Sequence, residues 1–169
     1  MSLSILLMIL LLGGFAAWLS ERIHADLPRW ISIATICIAL LYLFSILSNL
    51  NIESFSAIPD PSNGSSWLIH EKTSWIPRFG IAFELAMDGL SVLLVALTLL
   101  LGLVAIGSSW VENDFKTGLF QANILWTLAG VTGVFLALDL FLFFLFWEVM
   151  LIPMYLLIAI WGHEKKAYA

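Results

Sequence analysis

The sequence predicts an all-α integral membrane protein with about five transmembrane helices. Hydrophobic residues make up 62% of the 169-residue chain and charged residues only 11%, whereas soluble domains carry roughly 25% charged residues. The mean hydropathy is +1.02, and the uncharged residues are gathered into runs near the length of about 20 residues that a bilayer span needs. This composition leaves too little polar surface to solvate a globular domain.

Five apolar runs are predicted to be membrane-spanning helices. Their ranges are 2–20, 30–50, 89–110, 118–138 and 140–162. No basic residue precedes the first run, so we expect a retained helix rather than a cleaved signal peptide. Pro28 suits the start of the second helix. The fourth and fifth runs together are too long for one span, which predicts a tight turn at Leu138–Asp139–Leu140.

Residues 51–82 form the predicted extramembrane loop, because the segment is rich in proline, glycine, asparagine and serine, which favour turns. The loop can include a short hairpin. Trp67 and Trp75 are expected at the membrane interface. Within the helices, glycines recur at 13–14, 102, 107, 130 and 133, and we expect them to let neighbouring helices pack closely.

The basic residues predict an orientation, because cytoplasmic loops of membrane proteins carry an excess of lysine and arginine. If the helices alternate in direction, five basic residues fall on one side of the membrane, and the other side receives only Lys72 and Arg78. The expected N-terminus and long loop are therefore outside, and the C-terminal end is cytoplasmic. The residues expected on the cytoplasmic side are Arg22, Arg29, Lys116, Lys165 and Lys166.

Several function classes find no support in the sequence. The seven lysines and arginines are scattered, so no nucleic-acid partner is expected. Cys37 is the only cysteine, which excludes an intrachain disulfide. His24, His70 and His163 are far apart in the predicted topology and lack the spacing of metal ligands. With no phosphate- or dinucleotide-binding motif present, we expect no metal, no cofactor and no self-contained catalytic site.

Glu148 is the strongest candidate for chemistry. It lies nine residues after Asp139 and fifteen before His163, which at about 1.5 Å per residue places it well inside the hydrocarbon. An ionisable group there costs on the order of 3 kcal/mol and usually faces the bundle interior or a water-filled cavity. The position predicts a proton or ion site. The alternative is a protonated acid that only hydrogen-bonds a neighbouring helix.

Two residues near Glu148 could support such a site. Pro153 cannot donate a hydrogen bond to the carbonyl of Val149, and a freed carbonyl beside the acid could hold water. The alternative is an ordinary proline kink. Tyr155 lies seven residues after Glu148 and shares its helix face, so it could hydrogen-bond a water chain or simply pack.

Three further acids lie at the expected outer boundary of the membrane. Glu84 and Asp88 would share a helix face if the third helix begins early, either as an acidic entry to a conduction path or with a basic partner elsewhere. The alternative is a solvated interface in which Asp88 is the N-cap ahead of Gly89. Asp139 is predicted to be the N-cap of the fifth helix.

The residues around Glu148 resemble a known family. The segment 143–155, FFLFWEVMLIPMY, is similar to the fifth helix of the antiporter-like, proton-translocating subunits of bacterial NADH–quinone oxidoreductase, respiratory complex I. Segments 75–80, 88–91 and 158–163 also resemble this family. The resemblance covers nearly the whole chain and is weakest in the first helix and in residues 51–72.

The resemblance implies a multi-pass subunit of the bacterial inner membrane that takes part in redox-coupled proton translocation. Glu148 matches the family's essential glutamate. The implied partners are other membrane subunits, the lipid bilayer and protons, while NADH, flavin and iron–sulfur clusters are expected in other subunits. The chain looks like the N-terminal third of such a subunit, so it is not expected to be catalytic alone. The family's partner lysine would lie beyond Ala169.

Two alternatives stay open. The chain could be the related subunit of a multisubunit sodium/proton antiporter or of a membrane-bound hydrogenase. A different class is a structural membrane scaffold without an ion path. In a scaffold, Glu148 could be replaced by glutamine or leucine without loss of activity.

Overall fold

The computed structural model describes residues 2–24, 26–49, 67–76, 78, 80–110 and 115–162. Five helices and one two-stranded hairpin make up the described fold. All five helices are long and apolar enough to cross a membrane, which confirms the predicted class. The elements in chain order are α1 (Leu3–Ser20), α2 (Leu27–Ser48), β1 (Ile69–Ile76), β2 (Ile81–Met87), α3 (Gly89–Ser108), α4 (Thr117–Leu136) and α5 (Leu140–Trp161).

The helix ends differ from the predicted ends by at most three residues, and the largest difference is at α2, which begins at Leu27. The predicted loop differs more. Its part from 51 to 66 lies outside the described residues, and its remainder pairs as an antiparallel hairpin, with Ile69 opposite Met87. Strand β2 continues past the predicted loop end because its apolar residues, among them Leu85 and Met87, are buried against the bundle.

Helix α4 is the centre of the bundle and contacts the other four helices. Glycines make these contacts close, because a methyl group in their place would overlap a neighbour. A Cβ on Gly102 would lie 2.5 Å from Leu128 of α4, and a Cβ on Gly130 would lie 2.5 Å from the Cβ of Met150 on α5. The glycine prediction is confirmed at these positions and wrong at Gly107, which faces open space.

The hairpin closes one end of the bundle. The backbone N–H of Leu138 donates to the carbonyl of Glu84 at 3.0 Å, and Leu85 forms an isolated β-bridge with Ala137 in the turn between α4 and α5. The rings of Trp75 and Phe141 pack edge to face, with centroids 6.0 Å apart. Strand β2 therefore holds the beginning of α5 in place.

The opposite end carries basic and aromatic residues. Arg29 is buried, lies 3.1 Å from Asp26 and stands over the ring of Trp110 at 5.6 Å. The indole N–H of Trp161 donates to the carbonyl of Phe115 at 2.9 Å. This arrangement agrees with helices that alternate in direction between the two ends.

Candidate functional site

Helix α5 carries the candidate site, and its start is fixed by a side-chain cap. The carboxylate of Asp139 accepts hydrogen bonds from the backbone N–H groups of Phe141 at 2.9 Å and Leu142 at 3.1 Å. These are donors that have no partner inside the helix. The prediction that Asp139 is the N-cap of the fifth helix is confirmed.

Glu148 lies on the open side of α5. Only Leu142 and Pro153 of this helix are buried, whereas Glu148 is exposed. Within the described part of the chain, no side chain or backbone group forms a hydrogen bond or ion pair with its carboxyl group. The expectation that Glu148 faces the bundle interior is therefore not met within these five helices.

Tyr155 shares the open side of α5 with Glu148, as the seven-residue spacing predicts. Its side chain is 70% exposed. A carboxyl group and a phenol thus project from a helix face whose other members are large apolar residues. In a bilayer this face would place both polar groups in contact with hydrocarbon, which is costly.

Pro153 points to a different side of the helix. It is buried and lines an apolar groove of about 270 Å³ between α1, α4 and α5, together with Val149 and Trp126. Five residues separate Pro153 from Glu148, which corresponds to roughly 140° around the helix axis. The structure therefore does not bring the proline and the acid onto one face.

Glu84 and Asp88 do not share a helix face, and that prediction is wrong. Glu84 belongs to strand β2, because residues 81–87, apolar apart from Glu84, pair with β1 and pack on the bundle. Asp88 is instead the N-cap of α3 and forms a capping box with Ser91, whose N–H donates to the Asp88 carboxylate at 2.8 Å. The alternative interpretation of Asp88 is confirmed.

Glu84 has basic partners on the neighbouring strand. Its carboxylate lies 2.9 Å from the Lys72 ammonium and 2.7 Å from the Nε2 of His70. The hydrogen bond from Lys72, assisted by that from His70, lowers the pKa of Glu84. This carboxyl group is thus engaged within the hairpin.

Glu71 is a structural residue that the sequence analysis missed. Its carboxylate accepts hydrogen bonds from the Ser2 hydroxyl at 2.8 Å, the Ser4 hydroxyl at 3.0 Å and the Ser4 N–H at 3.2 Å. Burial raises the pKa of Glu71, but the hydrogen bonds from Ser2 and Ser4 together outweigh it, so the pKa is lowered. Strand β1 therefore caps the start of α1.

Buried polar side chains of α4 were also missed. Gln121, Asn123 and Thr132 are almost fully buried, and each has an oxygen atom without a hydrogen-bond partner in the described structure. A signal for them was available, because amide and hydroxyl side chains within a membrane span usually lie at helix interfaces, where they hydrogen-bond across helices.

Within the described ranges, no three histidine, cysteine, aspartate or glutamate residues come close enough together to hold a metal ion. His24 and His70 lie at opposite ends of the bundle, and His163 lies outside the described residues.

Comparisons with known proteins define the class. Residues 137–169, which include Asp139 and Glu148, match a family model described as "NADH:quinone oxidoreductase/Mrp antiporter, TM". In its fold and in this segment, the chain is similar to polytopic, antiporter-like membrane subunits.

Two curated relatives are subunits of the same kind. The chain is 47% identical over 160 residues to NADH-quinone oxidoreductase subunit M of Pseudomonas aeruginosa, covering 95% of this chain and 31% of that protein. It is 45% identical over 163 residues to subunit M of Escherichia coli K12, with the same coverage of each. The chain thus spans about a third of the length of these curated relatives.

Two solved structures of membrane complexes contain a similar fold. An archaeal membrane-bound sulfane sulfur reductase superposes with a TM-score of 0.67 at 25% identity, covering 92% of this chain and 22% of the matched one. The Mrp complex from a Dietzia species superposes with a TM-score of 0.74 at 19% identity, covering 99% and 17%. The Mrp likeness indicates a shared fold.

Proposed function

We propose that the chain is part of a membrane subunit of NADH–quinone oxidoreductase that takes part in redox-coupled proton translocation. Glu148 is the proposed intramembrane proton site. The observation that carries the proposal is an ionisable side chain in the middle of a membrane-spanning helix, inside the segment that matches the family model. An ionisable side chain at this depth costs free energy, and such side chains usually have a function or a paired partner.

The open face of α5 supports a larger assembly. Glu148 and Tyr155 both project from it, and intramembrane charges usually pair with one another or with backbone groups. The proposal therefore requires further protein over this face, either later helices of the same subunit or other membrane subunits. A basic side chain opposite Glu148 would let the acid change its protonation state when that charge approaches or recedes.

The proposed division of labour leaves redox chemistry to other subunits. Those subunits would bind NADH, flavin and iron–sulfur clusters, and this subunit would move protons without taking part in electron transfer. The hairpin end of the bundle is proposed to be periplasmic and the end with Arg22, Arg29 and Lys116 cytoplasmic, since basic loops stay in the cytoplasm.

One experiment separates this function from its closest alternative. The complete subunit is affinity-tagged in its native host and purified in mild detergent. We expect NADH–quinone oxidoreductase activity to co-elute with the tag through size exclusion.

A tagged complex without that activity, which exchanges sodium for protons in liposomes, would instead identify an antiporter subunit. This second candidate is kept because the matching family model is described as covering both kinds of complex. A complex with neither activity would support the scaffold.

A further inference from the structure

The interface between α3 and α4 contains oxygen atoms that need a partner. Gln121 is 1% exposed and Thr132 is 0% exposed, yet Gln121 Oε1 and Thr132 Oγ1 accept or donate no hydrogen bond in the described structure. Buried polar atoms in proteins are satisfied by protein groups or by ordered water. Inside a membrane bundle, bulk solvent cannot supply the partner.

The register of the two helices places Thr98 of α3 and its C-cap residue Ser109 at the levels of these atoms. Leu128 of α4 packs directly over Gly102 of α3, and the two helices run antiparallel. Steps of four residues keep to one helix face. Thr98, four residues before Gly102, therefore lies at the level of Thr132, four residues after Leu128. Steps of seven residues also keep to one helix face. Ser109, seven residues after Gly102, therefore lies at the level of Gln121, seven residues before Leu128.

The α3 hydroxyls cannot satisfy these atoms by donation. Thr98 donates its hydroxyl hydrogen to the carbonyl of Leu94 at 2.8 Å, and Ser109 donates to the carbonyl of Ile106 at 2.9 Å. Each retains lone pairs that can accept a hydrogen bond. Both residues are buried. At the level of Ser109, Gln121 Oε1 thus lacks a donor, and at the level of Thr98 the Thr132 hydroxyl makes no hydrogen bond although Thr98 Oγ1 can accept one.

We propose that the α3–α4 interface binds two buried water molecules, one between Ser109 and Gln121 and one between Thr98 and Thr132. The first water donates to Gln121 Oε1 and to Ser109 Oγ. The second accepts from the Thr132 hydroxyl and donates to Thr98 Oγ1. A buried water with two or more polar partners has the hydrogen bonding that such waters require.

The two waters do not form a continuous path. Gln121 and Thr132 are eleven residues apart, about 16 Å along the helix. Between them Leu128 fills the space over Gly102, and Ile36 of α2 approaches the same point. This apolar contact keeps the two sites separate. The waters also lie away from the Glu148 face, so the proposal is independent of the proposed function.

A map of the complete subunit in its purified complex, at a resolution that shows ordered water, tests the proposal. We expect density within hydrogen-bond distance of Gln121 Oε1 and of Thr132 Oγ1. Thr132→Val removes the hydroxyl and keeps the shape, so its map should lose the second water only. Thr127→Val is the matched control, because the Thr127 hydroxyl already donates to the carbonyl of Asn123 at 2.8 Å; both waters should remain.

The wild-type map alone can overturn the proposal. Absence of density at both oxygens, or a direct hydrogen bond between Thr132 and Thr98 and between Gln121 and Ser109, would show that the interface is dry. Retention of the second water in Thr132→Val would show that Thr132 does not bind it. A variant that does not assemble leaves the decision to the wild-type map.

Discussion

Individual side chains at the hairpin end were predictable where their partners are local. Asp88 and Asp139 each cap a helix through backbone groups two or three residues away, and such spacing is visible in a sequence. Glu71 was not predictable, because its partners Ser2 and Ser4 are 67 to 69 residues distant. The depth of Glu148 could be predicted from residue count, whereas its exposure depends on where α5 packs.

Glu71 gives a pH-dependent prediction at the residue scale. Glu71→Gln weakens the cap on α1, and a cap of this kind contributes about 1 kcal/mol. Because the folded-state pKa is lowered, this stabilisation is present above the unfolded pKa of about 4.3 and is lost as the pH falls through the folded value. Thermal unfolding of the purified complex should show a lower Tm for the variant at pH 7 and a shrinking difference below about pH 4.3.

Ser4→Ala supplies the control for this prediction. If Glu71 and Ser4 act through one hydrogen-bonded cluster, the double variant should lose less stability than the sum of the two single variants. Strict additivity would contradict the proposed cap, as would a difference in Tm that is unchanged at low pH.

At the scale of elements, hydrophobic runs predicted the five helices because each span must satisfy its backbone internally. The hairpin was less predictable. Residues 81–82 belong to the predicted loop and residues 83–87 lie directly before α3, whose early start was only an alternative. The pairing with β1 and the burial of Leu85 show a strand instead. The central position of α4 was not predicted either, although its run is the least apolar of the five.

The contact between α4 and α5 yields an element-scale prediction. Gly130→Ala would place a methyl group 2.5 Å from Met150 Cβ and 3.1 Å from its Cα, so α5 must move away from α4. Overpacking of this kind costs typically 1–3 kcal/mol. The thermal stability of the purified complex should fall.

Gly107→Ala is the matched control on α3, because nothing lies within 4 Å of the added methyl group and alanine favours the helix. Its stability should be unchanged or slightly higher. Equal effects of the two substitutions would contradict the close packing of α4 on α5.

At the scale of the whole molecule, the alternating helices place the hairpin and the Arg29 end on opposite sides of the membrane. Whole cells carrying single cysteines in a Cys37→Ser background test the proposed orientation. Ser74 in β1 and His24 after α1 are both exposed. An impermeant thiol reagent should label Ser74→Cys in intact cells and His24→Cys only after permeabilisation. The reverse pattern would invert the orientation.

Proton uptake by the complete complex tests the central claim most directly. Glu148→Gln keeps the shape and hydrogen bonding of the side chain and removes its titration, whereas Glu148→Asp keeps an acid at shorter reach. Redox-driven proton uptake is measured in inverted membrane vesicles and normalised to assembled complex. We expect pumping to be abolished in Glu148→Gln and partly retained in Glu148→Asp, with assembly largely preserved in both. Normal pumping in assembled Glu148→Gln would contradict the account and assign Glu148 a structural role.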